Sequence, residues 1–498
     1  MQKKQSRLLI VSLLIVLFAY FIIQVMGKTM NKDVSDTNLQ IASNDLDGEI
    51  ADSYIEPGWQ KTKTFTIQNN GKTERKYNIV IKDLMNTFAT KGYLKYKVTS
   101  TNNGYNMTEF KDIPKSSAPK DTILAYSASI PVGVTQSYTI EFKYANDGSV
   151  DQSDDMGKKL SGTLFITEGT EEPTLLSQIL NDNPTRETRN TYNAVFTNNT
   201  TGTLFTATEK NVHNTIDTTV YYYAGNTTNN WVKFAGYYWR IIRTNADGSV
   251  RMLYSGTATD TTSGYLSTGT SAFNTSYNSP KYVGYMYGEN DDTLVNARIN
   301  TNNSTKKTAI DNWYASNMTS YTKYLSTTAV YCNDRTEQPS GTYNPGNTRF
   351  YYAPYARAYT HVPTYDCTEA SDAFSGSNTS AKLTYPIALM TTDEIMRAGG
   401  KGGTDLTSPY AWYYLNSANG SITSSTWWWL LSPSLWHGSS ANVSFVHGSS
   451  GPGCLSNYIV SYAVGVRPAL SLKSCVKYAS GNGSASAPYT IKETTSGC

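Results

Sequence analysis

Apolar and polar residues alternate along the chain from about residue 48 to residue 168. The alternating runs are Phe65/Ile67, Tyr77/Ile79/Ile81, Leu94/Tyr96/Val98, Tyr138/Ile140/Phe142/Tyr144 and Leu164/Ile166. A period of two places successive side chains on opposite faces of a strand. Turn-forming pairs separate the runs, at Pro57-Gly58, Asn70-Gly71 and Asp147-Gly148. The pattern therefore predicts an all-β antiparallel sandwich over residues 48–168.

The apolar spacing changes to a helical period in the segment that follows. Leu175, Leu176, Ile179 and Leu180 recur at intervals that place them on one helical face. We predict a connector at residues 169–189 that contains a short helix.

Signals of both kinds mix over residues 190–498. A hairpin is predicted from 231–243 through the turn Ala246-Asp247-Gly248 to 250–254. A helix is predicted around 309–317 with Ser304 as a possible cap, and a second one opens with the capping-box pair Thr391 and Glu394 and ends at Gly399-Gly400. Short strands, two helices and long loops predict an α+β domain.

The N-terminus indicates the compartment. A charged tail at residues 1–7 precedes an uncharged apolar run at 8–27, which as a helix would span about 30 Å, the thickness of the hydrocarbon layer. We predict an uncleaved transmembrane signal anchor with the N-terminus cytoplasmic and the rest extracellular, followed by a polar stalk at 28–47. A signal peptide cleaved after Gly27 is the alternative.

The overall charge excludes one class of partner. The formal net charge is +3 and only 16% of residues are charged, so a nucleic-acid partner, which needs clustered Lys and Arg, is not expected. The chain is instead rich in tyrosine, with 39 residues, which suits strands with aromatic, polar faces.

Five cysteines occur, all in the second half of the chain. In an extracellular compartment disulfides persist, and the pairs closest in sequence are Cys332–Cys367 and Cys475–Cys498. Spacing alone does not prove connectivity. These pairs would leave Cys454 as a free thiol.

The sequence Trp427-Trp428-Trp429 begins the most informative stretch. Neighbouring strand side chains face opposite ways, so the three indoles cannot all enter one core. The window 434–466 that follows contains no Lys, Arg, Asp or Glu and is built from Ser, Gly, Asn, His, Tyr and small apolar residues. This composition is typical of a binding surface. We predict a ligand loop there, with contacts from Trp436, His437, Ser439, Asn442, Ser444, His447, Asn457 and Tyr458.

Catalytic and metal motifs are weak. His437 and His447 lie in the neutral window without an adjacent acid to orient them, and the pair Cys454 and His447 lacks a third member. No catalytic residue and no cofactor is predicted. Structural calcium at the acidic stretch Asp147, Asp151, Asp154 and Asp155 is an open possibility, although a solvated turn explains those residues better.

Two resemblances add to this picture. The segments 55–58, 63–71, 138–142 and 162–166 resemble the opening and core strands of camelysin/TasA-like bacterial surface sandwiches. The ordered set 238–243, 282–288, 389–394, 429–433 and 465–470 resembles the C-type-lectin-like fold of formylglycine-generating-enzyme relatives, and most of all bacterial surface proteins of that fold whose ligand loops are diversified by retroelements.

The lectin-like resemblance has clear departures. Leu431 stands where many relatives carry arginine, and no cysteine matches the oxidising pair of the formylglycine-generating enzyme. Arg467 is expected to be structural, with its fork bridging backbone carbonyls or a carboxylate. The resemblance implies a ligand-binding domain at 190–498, with diversification of its loop left open.

Together these features predict a non-enzymatic recognition or adhesion protein of the cell surface. Its ligand would be an extracellular protein or a glycan, and it would contact the membrane through its N-terminal helix. The alternatives are a fibre or envelope component that self-assembles through the sandwich, and an enzyme of the formylglycine-generating type.

Overall fold

A computed structural model describes residues 39–43, 49–50, 52, 54–89, 92–259, 269–338, 342–414, 427–448 and 450–498. The chain divides into two compact units, residues 1–172 and 173–498. The described residues include no helix long and apolar enough to cross a bilayer. The predicted tail at 1–7 and anchor at 8–27 lie outside the described residues.

The first unit is an antiparallel arrangement of two sheets. One sheet has the order β1-β2-β7-β4-β5 and the other β6-β3-β8. Between them lies a single core of aromatic and aliphatic side chains, which includes Phe65, Ile79 and Ile140. The described strands of this unit are β1 (Leu39–Ser43), β2 (Gln60–Asn69), β3 (Arg75–Asn86), β4 (Leu94–Ser100), β5 (Lys111–Asp112), β6 (Ser116–Ile130), β7 (Thr135–Tyr144) and β8 (Leu160–Glu168).

The predicted alternation is confirmed on β2 and β4, whereas residues 77–81 of β3 are all buried. Phe65 and Ile67 on β2 are buried, and so are Leu94, Tyr96 and Val98 on β4. Two features differ from the expectation. Residues 39–43, within the predicted stalk, pair with β2 as β1, and the long strand β6 was not predicted.

The second unit is also mostly β. Its largest sheet has the order β21-β26-β14-β13-β11-β10-β9, with β12 and then β28 and β27 attached at β13. A second sheet has the order β15-β25-β22-β23-β24, with β19 paired to β22, and two further pairs are β16-β17 and β18-β20.

The described strands of this unit are β9 (Thr185–Glu187), β10 (Thr203–Asn211), β11 (Asn214–Tyr222), β12 (Trp231–Phe234), β13 (Tyr237–Thr244), β14 (Val250–Tyr254), β15 (Thr270–Ser271), β16 (Met286–Tyr287), β17 (Asn302–Asn303), β18 (Tyr331–Cys332), β19 (Phe350–Tyr351), β20 (Ala373–Phe374), β21 (Ile387–Leu389), β22 (Trp428–Trp436), β23 (Ala441–Val446), β24 (Leu455–Ile459), β25 (Val464–Gly465), β26 (Pro468–Leu472), β27 (Tyr478–Ser480) and β28 (Tyr489–Ile491).

Its described helices are short, and several begin as the sequence predicts. They are α1 (Leu175–Asp182), α2 (Leu294–Ala297), α3 (Thr305–Asn317), α4 (Ala353–Thr360) and α5 (Thr392–Ala398). Ser304 caps α3, and Thr391 and Glu394 form the capping box of α5. The predicted connector helix, α1, packs Leu175 and Ile179 into the core of this unit, which begins at Pro173. Tight 3₁₀ turns lie at Ser153–Asp155 in the first unit and at Pro280–Val283, Thr319–Tyr324 and Thr379–Ala381 in the second.

A buried ionic network joins α5 to the large sheet. The Oε1 atom of Glu394 accepts hydrogen bonds from Arg243 Nε at 2.9 Å and Arg251 Nη1 at 2.7 Å. A second carboxylate, Glu209, accepts from Arg243 at 2.6 Å. All four side chains are almost fully buried, so each charge depends on its partners for solvation.

The two disulfides in the structure are the sequence-local pairs. Cys332 on β18 is bonded to Cys367, and Cys475 is bonded to Cys498 near the C-terminus. Cys454 is a free, buried thiol.

Candidate ligand-binding surface

Three antiparallel strands of the second sheet carry the neutral window. Strand β22 pairs with β23, and β23 pairs with β24, with Val443 opposite Tyr458 and Ser444 opposite Asn457. Because successive residues of a strand face opposite sides, this register sorts the predicted ligand contacts onto two faces.

An aromatic cluster occupies one of these faces. We define it as Trp427, Phe445, His447, Tyr458 and Tyr462. The Trp427 ring is stacked on Phe445 with centroids 4.7 Å apart, and its edge contacts include His447 at 4.7 Å and Tyr458 at 5.7 Å. Tyr458 and Tyr462 meet at 5.1 Å. Tyr458 is 41% exposed and Tyr462 is 50% exposed, so the cluster is anchored in the core at Phe445 and open at the two tyrosines.

The spacing of these rings restricts what the cluster can hold. Rings whose centroids are 4.7–5.9 Å apart already touch one another, so no ligand fits between them. An aromatic box for a quaternary ammonium group needs its rings spread around the cation. The cluster therefore offers a continuous outer surface of ring edges, ring faces and tyrosine hydroxyls.

The opposite face carries the amide side chains. Asn442 Nδ2 donates to Asn457 Oδ1 at 3.3 Å, and both residues are only partly buried. Ser440 Oγ donates to Asn442 Oδ1 at 3.4 Å. The predicted contacts Asn442 and Asn457 therefore do not lie on the surface that Tyr458 and His447 share.

The structure buries two of the predicted ligand contacts. Trp436 is 3% exposed, packs in the core and donates its indole N–H to the Asn347 carbonyl at 3.1 Å. Ser444 is 4% exposed because it lies at the centre of β23 between two paired strands. Neither side chain can reach a ligand without unfolding its strand.

The remaining predicted contacts lie at the turn between β22 and β23. His437 and Ser439 are exposed there, and the His437 backbone N–H donates to the Ser440 carbonyl at 2.9 Å. Arg349 donates a hydrogen bond to His437 Nε2. Apart from the two buried residues, the predicted ligand contacts thus lie in three places: the turn, the amide face and the aromatic cluster.

Cys454 lies beside His447 but is not poised as a nucleophile. Burial, and after it the charge of the nearby Asp405 carboxylate and its hydrogen bond with the thiol, raise the pKa of Cys454 to about 11. A thiol with this pKa is protonated at neutral pH, whereas nucleophilic attack needs the thiolate. The His447 Nδ1 atom is buried and has no hydrogen-bond partner, and burial lowers the pKa of His447.

Two buried tryptophans of β22, together with Arg467, connect this sheet to its neighbours. Trp429 packs edge-on against Phe273, and Trp428 lies under the Arg467 guanidinium at 4.7 Å. Arg467 donates to the backbone carbonyls of Tyr254 at 3.2 Å and Tyr413 at 2.7 Å. The prediction that Arg467 bridges backbone carbonyls is confirmed.

The acidic stretch of the first unit is used in local hydrogen bonds. Asp155 is buried and accepts from the Tyr144 hydroxyl at 2.6 Å, while Asp147 accepts from Ser149 and from Tyr93. Among the described residues, no group of three or more His, Cys, Asp or Glu is placed to hold a metal ion.

The exposed part of the cluster contains one residue that sequence reasoning passed over. Tyr462 lies in the neutral window, but its contact with Tyr458 depends on the turn that follows β24. Trp427 was visible in the tryptophan run, and only the register of β22 shows which of the three indoles is partly exposed.

Comparison with known proteins leaves this surface to be interpreted from its own residues. No protein-family model matches the chain, and no curated protein matches its sequence.

Proposed function

We propose that this chain is a cell-surface recognition protein whose second unit binds an extracellular protein or glycan through the aromatic cluster. One observation carries the proposal. A partly exposed group of touching aromatic rings lies in a segment without Lys, Arg, Asp or Glu. Tyrosine and tryptophan provide rigid contact area at low entropic cost, and they dominate the energetic centres of interfaces.

The surroundings of the cluster supply polar specificity. The Tyr458 and Tyr462 side chains, each with a hydroxyl group, lie at its exposed edge. Because the neutral window carries no formal charge, ionic attraction should contribute little to ligand binding. Complementarity of shape should contribute more.

The proposed display at the surface depends on the N-terminal segment. We propose that residues 8–27 anchor the chain in the cell membrane as a single span, with both units outside. The hydropathy of that segment and the positive charges before it support the proposal.

We further propose that the second unit is a C-type-lectin-like domain of the kind that retroelements diversify. Its support is the sequence resemblance together with the burial pattern. The segments 428–433 and 464–470 are buried, while His437 and Tyr458 are exposed, so variation at the latter would leave the core intact. Deep sequencing of codons 426–472 from one clonal population tests this. Scattered variation at exposed positions with 428–433 and 464–470 fixed supports diversification, and a uniform sequence rejects it.

Binding by the cluster is tested with paired tyrosine variants. The full chain and the variant Tyr458→Ala/Tyr462→Ala are applied to a glycan array and to an array of purified extracellular proteins. Tyr359→Ala is the matched control, because Tyr359 is 57% exposed on α4 and outside the cluster.

We expect at least one ligand whose signal falls about tenfold or more in the double variant and is retained in the control, which corresponds to a loss of about 1.4 kcal/mol or more. Ligands that bind both variants as well as the parent chain would contradict the proposal.

Self-assembly through the first unit is the alternative function. The edges of its two sheets in the described residues are β1, β5, β6 and β8, and a sheet edge offers unpaired backbone groups to another chain. Size-exclusion chromatography of the full chain over a concentration series discriminates the two: concentration-dependent polymers favour assembly, and a constant elution volume favours recognition.

A further inference from the structure

Arg189 and Arg397 lie together in the second unit, apart from the aromatic cluster. Arg189 Nη1 donates a hydrogen bond to the backbone carbonyl of Arg397 at 2.6 Å. Both guanidinium groups lie over the ring of Tyr192, with their central carbons 4.7 and 5.4 Å from its centroid. Two positive groups thus contact one tyrosine ring.

This pair differs from most other arginines of the unit in what balances its charge. Arg243, Arg251, Arg335 and Arg357 each bind a carboxylate within 3 Å. Within the described part of the chain, neither Arg189 nor Arg397 has a carboxylate within 4 Å.

The hydrogen-bond donors of the pair are incompletely used. Arg397 donates from Nη1 to the Tyr192 hydroxyl and from Nη2 to the Pro363 carbonyl, both at 2.9 Å, while its Nε is buried and has no partner. The hydrogen bond that Arg189 makes through Nη1 leaves the other edge of its guanidinium for a further acceptor. Both residues are only partly buried, so part of each side chain is open to solvent, whereas the Nε atom of Arg397 is itself covered.

The local structure offsets only part of this positive charge. Arg397 is in the last turn of α5, where the helix end carries a partial charge of about −0.5. The aromatic faces of Tyr192 and Phe196 attract the Arg189 guanidinium without neutralising its charge. Burial is the main cause that lowers the pKa of Arg189. Nearby tyrosines act in the opposite direction, and the positive charge of Arg397 lowers the pKa as well.

We propose that Arg189 and Arg397 form a binding site for a phosphate or sulfate group. A tetrahedral oxyanion presents several acceptor oxygens, so it can take hydrogen bonds from two guanidinium groups at once, which a chloride ion does less well. This site is independent of ligand binding by the aromatic cluster. The anion is either a free inorganic ion or an ester group on a larger molecule, and both share this chemistry.

Isothermal titration calorimetry on the full chain tests the site. Sodium phosphate, sodium sulfate and a sulfated hexasaccharide are titrated separately at constant ionic strength set with sodium chloride. The deciding variant is Arg189→Gln, which keeps a donor but removes the charge of a partly exposed side chain. Arg186→Gln is the matched control, since Arg186 is exposed in the same segment and donates to the Leu180 carbonyl.

We expect saturable binding of about one oxyanion per chain, weakened about tenfold or more in Arg189→Gln and unchanged in Arg186→Gln, because only the first variant loses a charge-assisted hydrogen bond to the anion. Tighter binding of the hexasaccharide than of free sulfate assigns the site to an ester group, and equal affinity assigns it to the free ion. Absence of saturable binding to all three, or unchanged affinity in Arg189→Gln, overturns the proposal.

Discussion

The indole of Trp427 lies flat against the ring of Phe445, with an angle of 20° between the two planes. Phe445 is buried and Trp427 is partly exposed, so this contact is where the hydrophobic core of the second unit reaches the surface. The exposed tyrosines of the cluster are fixed by the same contact. The binding surface that we propose is therefore an extension of the core, held rigidly by it.

Because Trp436 is buried, we expect its replacement to destabilise the fold. Replacing it with alanine removes a large side chain from the core, and we expect the free energy of unfolding to fall by about 3–5 kcal/mol. Tyr458→Ala, at a side chain 41% exposed, should cost about 1 kcal/mol or less. Urea denaturation followed by circular dichroism measures both. Equal losses for the two variants would contradict the placement of Trp436.

The Glu394 network predicts a large loss of stability when a single charge is removed. Glu394→Gln keeps the shape but removes the charge that balances Arg243 and Arg251, both almost fully buried. We expect a loss of about 3–5 kcal/mol in urea denaturation. Glu187→Gln, at an exposed residue of β9, is the control and should cost less than about 0.5 kcal/mol.

The same carboxylate predicts a pH dependence. Burial alone would raise the pKa of Glu394, but the Arg251 and Arg243 guanidiniums outweigh it and hold the pKa below its usual 4.5. The ionised form is therefore favoured by folding, and its contribution is present above about pH 4.5 and is lost as the pH falls through the lower, folded-state pKa. The difference in stability between the parent chain and Glu394→Gln should shrink over that range; a constant difference would argue against the ion pair.

Each disulfide closes a loop and should stabilise the second unit. The bonded cysteines are 35 residues apart in Cys332–Cys367 and 23 apart in Cys475–Cys498. Loop-closure entropy predicts a loss of about 3.5–4 kcal/mol when either pair is replaced by serine. Denaturation of Cys332→Ser/Cys367→Ser and Cys475→Ser/Cys498→Ser measures the loss. Cys454→Ser serves as the control for introducing serine without opening a loop.

His447 should make the aromatic cluster sensitive to mild acid. Burial is the main cause that lowers the pKa of His447 from its usual 6.5. Its neutral form is favoured by folding, so its contribution is present above about pH 6.5 and is lost as the pH falls through the lower folded-state pKa. The thermal midpoint of the parent chain should fall more between about pH 7.5 and 5.5 than that of His447→Gln. Parallel curves for the two proteins would show that His447 does not titrate with folding.

Local patterns in the sequence predicted many of the strands and helices, but not all of them. Alternation identified the strands around Phe65, Leu94 and Ile140, and the capping box identified the start of α5. Strand β6 was missed because Pro119 and a polar, exposed first half hide its pattern. Such a strand is tolerated because β6 is at the edge of its sheet, where a missing backbone N–H breaks no ladder.

For the candidate site, composition indicated a segment but could not assign its residues to the two faces of the sheet. The absence of charge in 434–466 and the tryptophan run follow from the sequence alone. Which aromatic side chain faces outward depends on how β22 pairs with β23 and β24, and a shift of one residue would reverse every assignment. Trp436 and Ser444 were misplaced for this reason.

The sequence by itself determined the strand-rich character, the helix caps, the sequence-local cysteine pairs and the neutral window, because each depends on residues close together in the chain. Only the tertiary structure decided the pairing of Glu394 with Arg243 and Arg251, the core position of Trp436 and the shared surface of Arg189 and Arg397. Those relationships join residues 143 to 208 positions apart, or depend on strand register. Burial removes water from such groups, and the tertiary fold determines which partner replaces the water.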